Sequence, residues 1–456
     1  MRRVLIAGTH SGCGKTTVTC AVLAALKARG TDVSAFKCGP DYIDPMFHRE
    51  VLGIPSHNLD SFFCSDDTLK YLLMENSRGS DIAVIEGVMG YYDGADGRGS
   101  AFSVAQLTGT PVVIVIDCRG MSESIGAVMR GFLEYRSPCM IVGFVFNKLP
   151  EKLIPLAGKL CDELGTKYLG YFPKTDLTIE SRHLGLVTAN EITDIRQKLG
   201  KLGDIAEKCI DLDAIMALAD NKFPEFRAPS FPQLNGDGPV VAVARDKAFC
   251  FIYDDNIRLL EKLGIVVRFF SPFTDKRLPE NASGLILCGG YPELHSEELA
   301  ANREMLDDIR SRIESGMPTI AECGGFMYLH DSFEDMDGNA HSGAGVIHGK
   351  AYRTPKLQRF GYITMTSGKD GLLCSSGDCI KAHEFHYFDS TDCGSDMTAR
   401  KPDGRSWECV HMNDHLYAGF PHLYFYSDIG MAVRFAEACR KYMENGTNED
   451  KDISAR

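Results

Sequence analysis

The feature that most limits what this chain can become is a recurring unit: a short unbroken apolar run, a turn, then an amphipathic stretch. In the first half the runs are Arg3–Ala7, Val33–Lys37, Ile82–Glu86, Pro111–Asp117, Ile141–Asn147 and Tyr168–Tyr171. They do not alternate apolar with polar residues, so each is predicted to be a strand covered on both faces. Thr16–Arg29 reads as a helix, with Val18, Val22, Ala25 and Leu26 on one face and Gly30 as its stop. The expectation is an α/β fold, a doubly wound and mostly parallel sheet.

The pattern breaks at Asn221–Pro239, where four prolines and two glycines replace any apolar periodicity. We read 1–220 as a first domain, 221–238 as a linker and 239–443 as a second domain of the same class. The second series has strands at Val240–Ala244, Val266–Phe270, Gly284–Cys288 and Pro318–Ala321. Helices are expected near Asp254–Leu263 and Glu297–Glu314, and 444–456 reads as a polar, frayed tail.

A chain of 456 residues exceeds what one core organises, and 44% hydrophobic with 24% charged residues is ordinary globular composition. Apolar runs such as Val112–Ile116 fall far short of the ~18 residues that span a bilayer. Arg2–Gly8 carries no signal-peptide h-region, and the 16 cysteines form no paired C-x-x-C motifs, so a reducing cytoplasm is expected. The net charge, 49 − 62 = −13, and the lack of a basic tract argue against a nucleic-acid partner. No membrane partner is expected, and any self-association is expected to be homodimeric.

Three segments carry chemistry. The first strand runs into Gly8-Thr9-His10-Ser11-Gly12-Cys13-Gly14-Lys15-Thr16-Thr17 and then a helix. Such a loop turns successive N–H groups toward an anion at a helix N-terminus, the arrangement of a phosphate loop. Gly8, Thr9, Gly12, Gly14, Lys15, Thr16 and Thr17 are the candidate ATP contacts, with Lys15 on the β/γ-phosphates and Thr16 on Mg²⁺. Gly8 stands one position earlier than the usual spacing. Glu86, at a strand end, is a candidate Mg²⁺ ligand. In Lys37-Cys38-Gly39-Pro40-Asp41-Tyr42-Ile43-Asp44, Lys37 is a candidate phosphoryl clamp and Asp41 or Asp44 a metal ligand, though Gly-Pro-Asp is also a plain turn former.

The third segment is Glu322-Cys323-Gly324-Gly325, a strand-to-helix turn that would expose a nucleophilic thiol. The Gly324 N–H, with Gly289 and Gly290 from another strand end, would supply oxyanion donors. His422 is the candidate base among 13 histidines.

Taken together, these motifs resemble the cobyrinate a,c-diamide synthase family over nearly the whole chain. The first half is similar to dethiobiotin-synthetase-type P-loop ATPases, a type whose shifted loop accounts for Gly8. The second is similar to class I glutamine amidotransferases of the cobyric-acid type. Arg182-His183-Leu184-Gly185-Leu186 and His383-Glu384-Phe385-His386 also match the family's pattern. The resemblance implies ATP- and glutamine-dependent amidation of the a and c acetates of a cobyrinic ring. Asp44, Arg182, His183, His383 and His386 are the candidate contacts to that polycarboxylate. Class I glutaminases usually carry a Glu two residues after the histidine; here Tyr424 stands there, implying a Cys323–His422 dyad without the usual acid. Nickel-sirohydrochlorin is an alternative substrate, and cobyric acid synthase a more distant relative. A P-loop switch is the rival from another class, disfavoured because an amidotransferase half would be superfluous to it.

Overall fold

The computed structural model describes residues 1–95, 97–177, 189–232 and 238–454, which divide into two compact units, Met1–Pro229 and Ser230–Arg456. In the first, the apolar runs become β1 (Arg3–Gly8), β2 (Val33–Cys38), β4 (Ile82–Glu86), β5 (Val112–Asp117), β6 (Ile141–Asn147) and β7 (Lys167–Phe172). A further strand, β3 (Ser56–Leu59), has the sequence Ser-His-Asn-Leu and carries no apolar signal. It is nevertheless buried, because its polar groups are paired: Ser56 Oγ with His48 Nδ1 (3.0 Å), and Asn58 Nδ2 donating to the Gly39 and Asp41 carbonyls (2.9 and 2.7 Å).

All seven strands are parallel, in the order β3-β2-β4-β1-β5-β6-β7. Val4, Ile6, Val84, Val113 and Val115 pack against Val18, Val22 and Leu26 of the helix Lys15–Ala28, each burial being worth about 1.5–3 kcal/mol. The register aligns the strand ends. Lys37 of β2 lies opposite Glu86 of β4, which lies opposite Ile6 of β1. This places the phosphate loop, Lys37 and Glu86 on the carboxyl edge, where open α/β sheets bind ligands.

The start of the segment read as a linker is anchored to this unit. The fully buried Arg3 donates to the carbonyls of Thr108 (3.1 Å), Gly109 (2.8 Å), Asn221 (3.0 Å) and Lys222 (2.9 Å), and lies over the Phe223 ring. The first residue of β1 is thus a clamp on the chain leaving the unit.

The second unit begins with β8 (Val240–Ala244), followed by β9 (Phe249–Phe251), β10 (Val266–Phe270), β11 (Ala282–Leu287), β12 (Gly289–Gly290) and β13 (Thr319–Glu322). Its main sheet runs β10-β8-β11-β13-β21-β20, closed by β21 (Leu416–Gly419) and the short β20 (His411–Met412). Only the β20–β21 pairing is antiparallel. The helix expected over 297–314 is split into Ser296–Ala301 and Arg303–Glu314. Between them the buried Asn302 leaves helical geometry, its amide donating to the Pro272 and Asp275 carbonyls (2.9 and 2.7 Å).

A separate sheet was not foreseen. It contains β14 (His330–Glu334), β15 (Ala340–Ser342), β16 (Ile347–Ser367), β17 (Cys379–Ser390), β18 (Met397–Arg400), β19 (Ser406–Cys409) and β22 (His422–Leu423). The residues read as a frayed tail from 444 instead extend the last helix, Ile429–Ser454, since nothing after Asp428 breaks it with proline.

Candidate active sites

In the first unit the phosphate loop is shaped by close contacts. A Cβ on Gly8 would lie 2.3 Å from Cys13 Sγ, so the early glycine makes room for that thiol. Gly14 has φ +91°, and a Cβ there would lie 2.1 Å from Asn147 Nδ2, whose amide donates to the Cys13 carbonyl at 2.8 Å. Lys15 then opens the helix.

Behind the loop sits a buried charge cluster. Lys37 Nζ is 2.8 Å from Glu86 Oε1 and 2.5 Å from Asp44 Oδ2, and the Thr16 hydroxyl donates to Glu86 Oε1 at 2.6 Å. Lys37 is 3% exposed, Glu86 0% and Asp44 7%, so solvent screens little. Burial works against the Lys37 ammonium, but Asp44, Glu86 and Asp41 outweigh it and hold its pKa well above the ordinary range. Burial likewise opposes the Asp44 carboxylate, yet Lys37 keeps it below its usual value. Asp41 is pushed up to about 6 by burial and then by Asp44, although its Oδ1 accepts the Ile43 and Asp44 N–H groups.

Glu86 Oε2 is buried and makes no hydrogen bond among the described residues; His48 Nε2 lies 3.9 Å away, and burial lowers the His48 pKa. An unsatisfied carboxylate oxygen beside a threonine hydroxyl suits Mg²⁺, which takes one or two protein oxygens and completes its shell with phosphate and water. Thr16, Lys37, Asp41, Asp44 and Glu86 thus converge. His48 and Asn147 were missed because nothing in their local sequence marks them. Arg182 and His183 lie outside the described residues.

In the second unit the Cys323 turn stands between β13 and the helix Gly324–Tyr328. Its φ of 48° and ψ of −103° are strained for a residue with a Cβ, and its N–H donates to the Gly419 carbonyl at 2.8 Å. A Cβ on Gly324 would lie 2.9 Å from Pro292 Cδ and 3.2 Å from Gly290 N, and one on Gly289 would lie 2.6 Å from His422 Cε1. Gly289 therefore packs against the imidazole and Gly324 against Gly290 and Pro292, where no side chain fits.

His422 is 1% exposed and hydrogen-bonds to Cys323. Burial works against its charged form, but Cys323 and Glu322 outweigh it and raise the imidazole to about 9. Glu322 Oε2 is 3.6 Å from His422 Nδ1, and Glu322 Oε1 accepts the Leu423 N–H at 3.2 Å. A carboxylate therefore does lie near the imidazole, on the residue before the nucleophile, while the position two residues after the histidine carries none. Tyr424, where the acid usually stands, donates its hydroxyl to Asp255 Oδ2 at 3.1 Å. The adjacent Asn256 amide brackets this segment, donating to the Leu423 carbonyl (2.9 Å) and accepting the Phe425 N–H (2.8 Å).

His383 and His386, expected to meet a macrocycle, lie in β17 and are 8% and 4% exposed. His383 is register-paired with His422, and burial lowers its pKa to about 3. His386 stacks on Phe420 at 4.1 Å with Nε2 2.8 Å from Glu384 Oε2. Alternation along β17 puts His386 on the buried face with Glu384 and Phe388, whereas His383, on the other face, is buried where β17 pairs with β22.

Comparison with known proteins matches each half of the chain to a domain family. Residues 4–186 match the CobQ/CobB/MinD/ParA nucleotide binding domain, and 240–428 match the CobB/CobQ-like glutamine amidotransferase domain. The chain is 38% identical to the cobyrinate a,c-diamide synthase of Caldanaerobacter subterraneus subsp. tengcongensis, over 97% of this chain and 99% of that one. It is also 38% identical to that of Fusobacterium nucleatum (93% and 98% covered) and 36% identical to that of Salmonella typhimurium (96% and 98%). Among the described residues no helix is long and apolar enough to cross a membrane. With a nucleotide-binding half and a glutamine amidotransferase half matched along almost its full length, this chain is an amidoligase and belongs to the cobyrinate a,c-diamide synthase family.

Proposed function

We propose that this protein uses ATP and glutamine to convert the a and c acetate carboxylates of cobyrinate to amides. The supporting observation is that one chain holds a phosphate loop backed by a buried lysine and, separately, a thiol paired with an imidazole. The names of the full-length relatives support cobyrinate as the substrate.

A carboxylate is activated by transfer of the ATP γ-phosphoryl group to one of its oxygens, giving an acyl phosphate. The Gly8–Thr17 loop holds the phosphates, and Lys15 and Lys37 neutralise charge on the transferring group. Bound Mg²⁺, held by Thr16 and Glu86 with Asp41 nearby, would screen phosphate charge. Arg182 and His183 are retained as contacts to the substrate's other carboxylates.

At the second site the Cys323 thiolate adds to the side-chain amide carbon of glutamine, and Gly290 and Gly324 N–H groups face the developing oxyanion. The His422 imidazolium protonates the departing nitrogen, so the C–N bond breaks to a thioester and ammonia. Water, deprotonated by His422, then releases glutamate and restores the thiolate. Ammonia attacks the acyl phosphate and phosphate leaves.

The test is to incubate the purified protein with ATP, glutamine and either cobyrinate or nickel-sirohydrochlorin, and to weigh the products. Two amidations of cobyrinate support the proposal. Amidation of the nickel macrocycle alone, or of neither, refutes it.

A further inference from the structure

We infer that Glu322 is the carboxylate that orients and charges His422, so the glutaminase carries a complete triad whose acid comes from the residue before the nucleophile. This rests on the glutaminase reading above and concerns how that site works.

The argument begins with strand geometry. β13 delivers Glu322 and then turns sharply at Cys323, where φ is 48°. Adjacent residues on a straight strand point to opposite faces. The strained turn instead lets the Glu322 carboxylate and the Cys323 thiol approach the same imidazole. Parallel pairing of β13 with β21 places Glu322 opposite Gly419, and the chain reaches His422 three residues later.

The carboxylate makes two contacts there: Oε2 to His422 Nδ1 at 3.6 Å and Oε1 from the Leu423 N–H at 3.2 Å. The first favours the charged ring, and the second fixes the carboxylate against the backbone that carries the ring. An acid on Nδ1 leaves Nε2 for the thiol, the division of labour in other thiol and hydroxyl triads. Glu322 is 6% exposed, so its charge is poorly screened. The usual acid position offers nothing comparable, because Tyr424 is turned to Asp255.

The other titratable groups facing this site do not replace it. His383 of β17 lies across from His422 and is neutral at working pH, and Tyr417 and Cys288, which face Glu322, are pushed up by burial. Among the described residues Glu322 is the acid at hand for His422 Nδ1. It is a positioning residue: it touches the base, not the glutamine.

The test uses Glu322→Gln in the full chain, because a glutamine still accepts the Leu423 N–H but carries no charge. The readouts are the pH dependence of glutamine hydrolysis and the rate of Cys323 carboxamidomethylation by iodoacetamide at pH 7, followed by mass spectrometry. We expect kcat to fall at least tenfold, short of the ~10²–10⁴ expected for losing the base itself, with KM within about threefold. The alkaline limb of the profile should move down by about 1–2 pH units, as for removal of a neighbouring opposite charge. Labelling should slow in parallel. Glu322→Asp should restore part of both, and Tyr424→Phe should move neither.

An unmoved alkaline limb in folded Glu322→Gln, even with reduced kcat, means a merely structural residue and overturns the inference. If Glu322→Gln does not fold, the limb is read in Glu322→Ala, which also lacks the charge, and an unmoved limb there overturns it equally. A shift in Tyr424→Phe with none in the Glu322 variants would assign the role to the Tyr424–Asp255 pair. Failure of the unmodified protein to hydrolyse glutamine at all would instead remove the underlying glutaminase reading.

Discussion

Replacing Lys37 with methionine tests whether the buried cluster is a working phosphoryl site. The change keeps the aliphatic stem and removes one charge that faces Glu86 at 2.8 Å and Asp44 at 2.5 Å. At an effective dielectric of ~20, each contact is worth about 6 kcal/mol before desolvation is subtracted. Removing one partner of a buried pair costs about 3–5 kcal/mol net, because the remaining charge stays buried without compensation. The loss must depend on pH. In the native unit Lys37 holds the Asp44 pKa below its unfolded value, so this stability is present above ~3.9 and disappears as pH falls through the depressed pKa. In Lys37→Met burial, the largest influence on Asp44, is opposed only by the smaller effects of His48 and Lys15 and raises the Asp44 pKa, so the penalty grows as pH rises from ~4 and is smaller at pH 5.5 than at pH 8. Urea denaturation of the full chain, with the transition of the first unit resolved, measures this difference. The same variant should lose at least ~100-fold in ammonia-dependent phosphate release while retaining glutamine hydrolysis. Equal destabilisation at both pH values, or near-normal ammonia-dependent turnover in a folded variant, would refute the assignment of Lys37.

Cys323→Ser should abolish amidation from glutamine and preserve it from added ammonia, read as macrocycle product by mass; equal loss with both donors contradicts separate sites. Lys15→Ala and Thr16→Ala should each lower amidation by on the order of a hundredfold with either nitrogen source, while basal glutaminase persists. Burial lowers His330 to about 4 and His383 to about 3, so at each of these two sites the folded second unit binds fewer protons than the unfolded chain below ~6.5, while His422 at about 9 and Glu293 at about 7 act the other way. His383 alone should cost about 1 kcal/mol of stability between pH 6.5 and 5.5. His383→Phe should remove that share, read as the difference from the native protein in urea titrations at the two pH values, and an identical pH dependence in the two proteins contradicts it.

Much of this molecule is legible along the chain because its information is local. An aliphatic run such as Val112–Asp117 can be satisfied only in a covered parallel strand, and a Gly-rich turn before Lys15-Thr16 suits few purposes other than an anion. Cys323 is recognisable for the same reason: a thiol between a strand and paired glycines sits on a forced turn. What the linear pattern does not carry is polar burial and partnership at long range. β3 is invisible because Ser56, His57 and Asn58 look like surface residues until their hydrogen bonds are seen. Nothing along the chain shows that Arg3 closes carbonyls more than 100 residues away. His383 and His386 look available for an anionic ligand until the pairing of β17 with β16 and β22 encloses them. The acid beside His422 could not be found by spacing, since Glu322 and Leu423 are 101 residues apart in sequence. Strand propensity and turn chemistry are encoded within a few neighbours, whereas the partner of a buried charge is chosen by register and burial, which exist only once the sheets have assembled.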